Sequence, residues 1–342
     1  MKAEGFTYDC YTILHAIIKE QVLSIERPGG INVIFFHALQ GLFSIFIMVS
    51  LGYWLTGKGW FSEDSAKLLP KLVNYIALPT YMLWNLLSTF DKDTFLPMFS
   101  GIIIPILSML MSFVFAVLTS NLLGLPPNRK GIFRSVFFCS SSVFVGVPVN
   151  LALFGENSLP YVLIYFLANA SLFWTIGNYS ISLAGTHPAK LLSTATLRRV
   201  CSPPFMGFGL AVILILLNVH LPAFVMSTCK YLGSMTTPLS MLFIGIAMFG
   251  VKLREIKFSR DIAAVLVGRF VISPLVVILA ASFFPIPELM EKVFIIQAAL
   301  PGMTQTTVLA KLYEADTEYA ALLVTITTLF SALAIPVYMM IV

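Results

Sequence analysis

The sequence predicts an all-α membrane protein of ten transmembrane helices, arranged as two inverted five-helix repeats. Three observations carry that expectation. Of 342 residues 58% are hydrophobic and only 11% charged, against roughly 25% charged in an average globular domain. Charge-poor stretches fall near 32–56, 72–90, 94–123, 131–155, 157–184, 201–220, 231–251, 262–284, 291–312 and 319–342, each near or above the about 20 residues that span a bilayer as a helix. Finally, the chain matches itself at almost one shift. Moving by 157 positions aligns Val136-Phe137 with Val293-Phe294, and moving by 158 aligns Leu151-Ala152, Glu156 and Tyr161 with Leu309-Ala310, Glu314 and Tyr319. A shift of 159 aligns Lys71 and Pro79 with Lys230 and Pro238.

Residues 1–30 scatter Lys2, Glu4, Asp9, Lys19, Glu20, Glu26 and Arg27 without the apolar core and small-residue cleavage site of a signal peptide. They are read as an extracytoplasmic extension. Residues 31–184 form the first repeat, 185–200 the cytoplasmic connection and 201–342 the second repeat. His37 in the first span is read as a packed interfacial residue. The second span carries Pro79 in NYIALPTYMLWN and the seventh carries Pro238 in KYLGSMTTPLSM, so both are expected to kink. The third and sixth spans offer no chemistry and are assigned to lipid contact or to packing the halves together.

The fourth span is different. In Cys139–Gly155, CSSSVFVGVPVNLALFG, the serines Ser140, Ser141 and Ser142 precede Gly146-Val147-Pro148, and Asn150 follows. The ninth repeats the theme in Gln297–Tyr313, QAALPGMTQTTVLAKLY, with Pro301-Gly302 and then Thr304-Gln305-Thr306-Thr307. A broken, polar helix survives at membrane depth only where it is buried in protein or lines a cavity, and discontinuous helices are where transporters hold cargo. In the fifth span Asn169, Asn178 and Trp174 are read as helix-to-helix glue. In the eighth, Arg269 lies about nine residues from the span end, roughly 13 Å deep. A charge there costs roughly 2.5–3.5 kcal/mol on translocon scales, so it calls for a counter-ion, carbonyl partners or an anionic ligand, unless the side chain snorkels.

Lysine and arginine then set the orientation. Fourteen fall on one alternating face (Lys58 to Lys71, Arg129 to Arg134, Lys190 to Arg199, Lys252 to Arg260, and Lys311), against Lys92, Lys230 and Lys292 on the other. The positive-inside rule places the richer face in the cytoplasm and both chain ends outside, and an odd number of spans per half makes the repeat inverted. The net charge of +5 therefore needs no nucleic acid. Cys10, Cys139, Cys201 and Cys229 have no metal-ligand or CxxC spacing, so neither metal nor cofactor is expected. No acidic residue falls at mid-membrane, which argues against a cation exchanger. With His37 and His220 far apart in sequence, it also argues against a membrane-embedded enzyme.

These segments resemble the auxin efflux carriers and their bacterial relatives, which include permeases for malate, malonate and similar organic anions. The resemblance covers about residues 31 to 342 and rests on GYWLTGKGWFS, NYIALPTYML, SSSVFVGVPVNLALFG, AALPGMTQTTVLAKLY and SALAIPVYMMIV. It implies a fold similar to bile-acid symporters and sodium/proton antiporters, with a scaffold domain, a transport domain, and the fourth and ninth helices crossing at their breaks. Two positions depart from the family pattern. Ser141 and Ser142 stand where an Asn is frequent, and Thr306 stands where a second Pro is common.

The function expected is a secondary transporter in the plasma membrane that moves a small organic carboxylate by alternating access. Half-helix N-termini at Pro148 and Pro301 would offer free N–H groups. Ser140, Ser141, Ser142, Gly146, Asn150, Gly302, Thr304, Gln305, Thr306 and Arg269 complete the candidate site. The alternative is a sodium- or proton-coupled symporter of a larger amphipathic anion. Partners are the anion and the bilayer, with a homodimer allowed.

A reporter fused after Val342 tests the orientation. An alkaline phosphatase fusion there is expected to be active, and a silent phosphatase with a bright fluorescent fusion would reverse the assignment.

Overall fold

The computed structural model describes residues 30–61, 63–186, 202–249 and 259–341. The N-terminal extension, most of the connection at 185–200 and six of the counted basic residues, from Lys190 to Arg199 and Lys252 to Lys257, lie outside them, as does the side chain of His37. The described chain is helical, its one β-contact being an isolated antiparallel bridge between Ser140 and Gly302.

The first half runs α1 (Gly30–Gly57), α2 (63–89), α3 (Lys92–Leu122), the half-helices α4 (Pro127–Phe138) and α5 (Gly146–Phe154), and α6 (Glu156–Ser182). The second runs α7 (Pro203–Leu216), α8 (Ala223–Phe249), α9 (Arg260–Ala281), the half-helices α10 (Glu288–Ala298) and α11 (Gln305–Leu312), and α12 (Thr317–Ile341). The order of the first half is thus repeated. Among the described residues α3, α6, α8, α9 and α12 are long and apolar enough to cross a membrane, with α7 and residues 43–57 of α1 apolar but shorter. Ten spans are not reached on length and composition, since the fourth and ninth helices are each cut in two, α1 and α7 are short over their described apolar parts, and α2 is not apolar enough.

Prolines shape the long helices by leaving a carbonyl four residues back without its donor. Ahead of Pro79, α2 widens into a π-turn at Val73–Ala77, and Thr80 Oγ1 donates to Ile76 O at 2.8 Å and to Ala77 O at 3.0 Å. Ahead of Pro274, α9 does the same at Gly268–Ile272, and Tyr338 Oη donates to the released Phe270 carbonyl at 2.5 Å. In α8 the helix is interrupted at Met235, three residues before Pro238. The expected kinks at Pro79 and Pro238 therefore take the form of a π-turn and a one-residue interruption. α2 also begins at Glu63, nine residues before the span counted from 72, because Lys67 and Lys71 do not stop a helix that has left the apolar layer.

Packing sorts the helices into two bundles. In one, α1 packs on α8, α7 on α2, and α2 on α8. In the other, α3 packs on α4 and α9, α10 on α6 and α9, and α4 on α12. The third and sixth spans thus join the halves, α3 against α9 and α7 against α2. A core of Phe133, Phe137, Phe138, Tyr165, Phe173 and Phe294, all buried, fills the second bundle. The bundles meet through carbon. Phe144 lies 5.8 Å from Phe243 and Phe166 lies 6.0 Å from Phe205, centroid to centroid.

Glycine sets the closest approach within the first bundle. A Cβ on Gly245 would lie 2.1 Å from Val49 O and 2.7 Å from Tyr53 N, both backbone atoms of α1. Gly245→Val is therefore expected to part α1 from α8 at a cost of about 1–3 kcal/mol or more. A lowered thermal midpoint in detergent checks this, and an unchanged one would refute it.

Candidate substrate site at the helix crossing

The two breaks meet. Ser141 N donates to Pro301 O at 2.8 Å, so the unwound segments of the fourth and ninth helices pair as a minimal antiparallel ladder. Gly302 allows this because a Cβ there would stand 2.6 Å from Val136 Cγ1.

Each break is patched from the helix that follows it. Asn169 of α6 imitates a peptide group. Its Oδ1 accepts from Ser140 N at 3.0 Å, and its Nδ2 donates to Ser140 O at 2.8 Å and to Ser142 Oγ at 3.1 Å. Thr327 of α12 accepts from Gly302 N at 3.1 Å through a hydroxyl that itself donates to the carbonyls of Leu323 and Val324, each at 2.9 Å. Gln297 Nε2 donates to Ser142 O at 3.3 Å. Asn169 was expected only as glue, and Thr327 and Gln297 were not singled out. A signal for Thr327 existed, since it lies 158 residues after Asn169, the shift of the internal match.

Arg269 is 0% exposed and does not snorkel. Its Nε donates to Leu300 O at 2.7 Å, Nη1 to Phe137 O at 3.0 Å and Nη2 to Ala298 O at 2.9 Å. Phe137 and Ala298 lie at the C-terminal ends of α4 and α10, so of the readings left open the carbonyl partners are the ones seen. Among the described residues no carboxylate lies within ion-pair distance of the guanidinium. Its position follows from the π-turn of α9, in whose Gly268–Ile272 stretch it lies. A Cβ on Gly268 would meet the Phe137 ring at 2.0 Å, so glycine there lets α9 close on α4.

The other expected site residues divide into two groups. Ser140, Ser141, Ser142, Gly146, Pro148, Asn150, Pro301, Gly302 and Thr306 are buried at or beside the crossing, while Thr304 and Gln305 at the start of α11 are half-buried. Thr306 Oγ1 stands 3.5 Å from Ser135 Oγ, and Thr304 Oγ1 donates to Gln305 Oε1 at 3.2 Å. Free N–H groups at Pro148 are not found. Gly146 N donates to Ser141 O at 3.1 Å, Val147 N to Val143 O at 3.2 Å and Val149 N to Val145 O at 3.1 Å, because the chain makes a turn before α5 begins. Asn150 spends an amide hydrogen on Gly146 O at 2.8 Å. Ser140 Oγ, Ser141 Oγ, Asn150 Oδ1 and Gln297 Oε1 are left buried without a hydrogen-bond partner.

An apolar groove of about 120 Å³ opens beside the crossing where the bundles meet, lined by Ile45, Val49, Val145, Val149, Ile244 and Ile335 among others. Val145 belongs to the first break. Among the described residues no cluster of His, Cys, Asp or Glu is suited to a metal ion, and Cys139 and Cys229 are free thiols.

A family model described as membrane transport protein matches residues 37–339. An uncharacterized transporter of Methanocaldococcus jannaschii is 26% identical over 299 residues, covering 86% of this chain and 95% of its own. One of Methanothermobacter thermautotrophicus is 25% identical over 314 residues, covering 89% and 98%.

The patches predict separable losses. Asn169→Ala and Thr327→Val each leave buried backbone groups without a partner, at about 1–3 kcal/mol for each group. Asn169→Ala, which strands both an N–H and a C=O of Ser140, is expected to lower the thermal midpoint more than Thr327→Val. The reverse order, or no change in either, would show that the breaks are held by something else.

Proposed function

The chain belongs to the membrane transport protein family, and on that premise we propose that this multi-pass transporter is a secondary carrier of organic carboxylate anions working by alternating access at the crossing. The observation that carries the anion reading is Arg269. It is a cation buried at the crossing with carbonyl oxygens and no carboxylate around it, so its charge is neutralised only by dipoles. Helix ends act in the same sense. The breaks bring together two C-termini, at Phe138 and Ala298, and two N-termini, at Gly146 and Gln305. A C-terminus carries about half a negative charge and an N-terminus about half a positive one. Arg269 covers the carbonyl ends, and the positive end of α11 lies at half-buried Thr304 and Gln305, where Thr306 N and Thr307 N already donate to Met303 O and Thr304 O and the dipole itself is what suits an anion.

In this reading the bundle of α3–α6 and α9–α12 moves against the bundle of α1, α2, α7 and α8. The carbon-on-carbon contact between Phe144, Phe166 and their partners suits that motion, since sliding it breaks no hydrogen bond. The halves are read as inverted repeats of a plasma-membrane protein with both ends outside. Support comes from the repeated element order, the internal shift, and a packing scheme that survives exchange of the halves, α1 on α8 matching α7 on α2.

One observation bears on the kind of anion. The groove beside Val145 is lined almost wholly by carbon, which favours a carboxylate with an apolar body, such as an indole acid, over a malate-like dicarboxylate with two charged ends. Uptake of both classes into proteoliposomes, with and without pH and sodium gradients, separates them.

Gln305 gives the sharper test. Gln305→Ala is expected to weaken carboxylate binding by about 1–3 kcal/mol. Gln305→Glu, which supplies its own negative charge to the α11 N-terminus, is expected to abolish binding while the protein still folds. Calorimetric titration of the purified variants checks the order. Equal binding by parent and Gln305→Glu would end the anion reading.

A further inference from the structure

The carbonyls around Arg269 form a cage whose geometry suits a cation in general. Phe137 O, Ala298 O and Leu300 O, from the ends of α4 and α10 and from the second break, converge on one guanidinium at 2.7 to 3.0 Å. Ser273 Oγ donates to the same Phe137 O at 3.3 Å, which closes the side toward α9. In carriers built from broken helices, unwound carbonyls and half-helix C-termini are where a coupling cation is held, while N-termini face the anion. Two converging C-termini carry about half a negative charge each, so a single monovalent cation neutralises the pair.

We propose, on the carrier reading above, that Arg269 is a built-in replacement for the coupling cation. A tethered charge fills the carbonyl cage that a mobile ion would otherwise fill, and the carrier runs without a sodium gradient. The residue belongs to α9, in the same bundle as α4 and α10, so it travels with the cage and does not dissociate. The negative ends of α4 and α10 then stay neutralised whichever side of the membrane the site opens to. A role as direct substrate ligand fits less well, because three of the five guanidinium N–H groups already donate to main-chain carbonyls and the side chain is fully buried. A purely structural cross-link would also bind these carbonyls, and guanidinium could refill the space it leaves, but recovery in sodium, which shares only the charge, is expected of a cation site alone.

The test uses purified protein in detergent with no carboxylate present, at equal ionic strength in sodium chloride, choline chloride, or choline chloride with millimolar guanidinium chloride. The parent is expected to melt at the same temperature in sodium and in choline. Arg269→Ala is expected to lose at least roughly 5 °C in choline and to regain part of it in sodium as well as in guanidinium. Arg269→Lys, which keeps a charge, is expected to lose less and to ignore both ions. Should Arg269→Ala fail to fold in choline, recovery of folded protein when membranes are solubilised in sodium supports the replacement, and failure in sodium overturns it. A parent stabilised by sodium over choline, or an Arg269→Ala midpoint that sodium does not restore, also overturns it. In proteoliposomes, carboxylate uptake that requires a sodium gradient overturns the replacement and leaves the carrier reading standing. If no carboxylate is taken up at all, the carrier reading falls, and the melting data still decide whether the cage is a cation site.

Discussion

Unwinding a helix inside an apolar layer frees backbone N–H and C=O groups that have no water to turn to, and each one left unpaired costs several kcal/mol. Two helices of this protein are unwound, at 139–145 and 299–304, and the rest of the second bundle is arranged around pairing what they release. The breaks answer one another through Ser141 and Pro301. The remaining groups are met by an amide from α6, a hydroxyl from α12 and a guanidinium from α9. Asn169 and Thr327, buried polar groups of α6 and α12, are used to patch the breaks, and the π-turn of α9 ahead of Pro274 carries the guanidinium that reaches them.

That solution has an electrostatic consequence. Backbone patching could have been done with neutral groups throughout, as Asn169 and Thr327 do it. At the two C-terminal ends it is done with a full charge, and burying an unpaired cation is expensive. The crossing thus holds one full charge, set against carbonyl oxygens, among neutral polar walls. The four oxygens left over on Ser140, Ser141, Asn150 and Gln297 show that even the walls retain hydrogen-bonding capacity.

Polar bonds elsewhere keep the second bundle together at one end. Arg129 pairs with Asp316 at 2.7 Å and lies over the Tyr319 ring at 4.7 Å, Thr186 Oγ1 donates to Glu314 at 2.9 Å, and Tyr313 Oη donates to Asn178 at 2.9 Å. These join α4, α6, α11 and α12, all members of one bundle. Directional bonds hold a bundle rigid, whereas the apolar aromatic contact between bundles resists separation but not sliding.

Much of this was legible in the sequence, and the boundary of what was legible is physical. Composition and the lengths of charge-poor runs gave the membrane class, because hydrocarbon imposes the same demand on every residue of a span. Pro148 and Pro301 marked the neighbourhood of the breaks, and the shift of 157 to 159 matched the recurring order of helices, because both are local or periodic properties of the chain. The start of α2 at Glu63 was missed, since a helix does not end where its charge begins. The roles of Asn169, Thr327 and Gln297 were not legible, because each depends on which carbonyl or N–H lies opposite in space. The same holds for Arg269. Its depth along the chain made it costly, but the sequence left counter-ion, carbonyl, ligand and snorkelling open. Only the folding of α9 against both broken helices decided among them, by bringing Phe137, 132 residues away, within a hydrogen bond of its guanidinium.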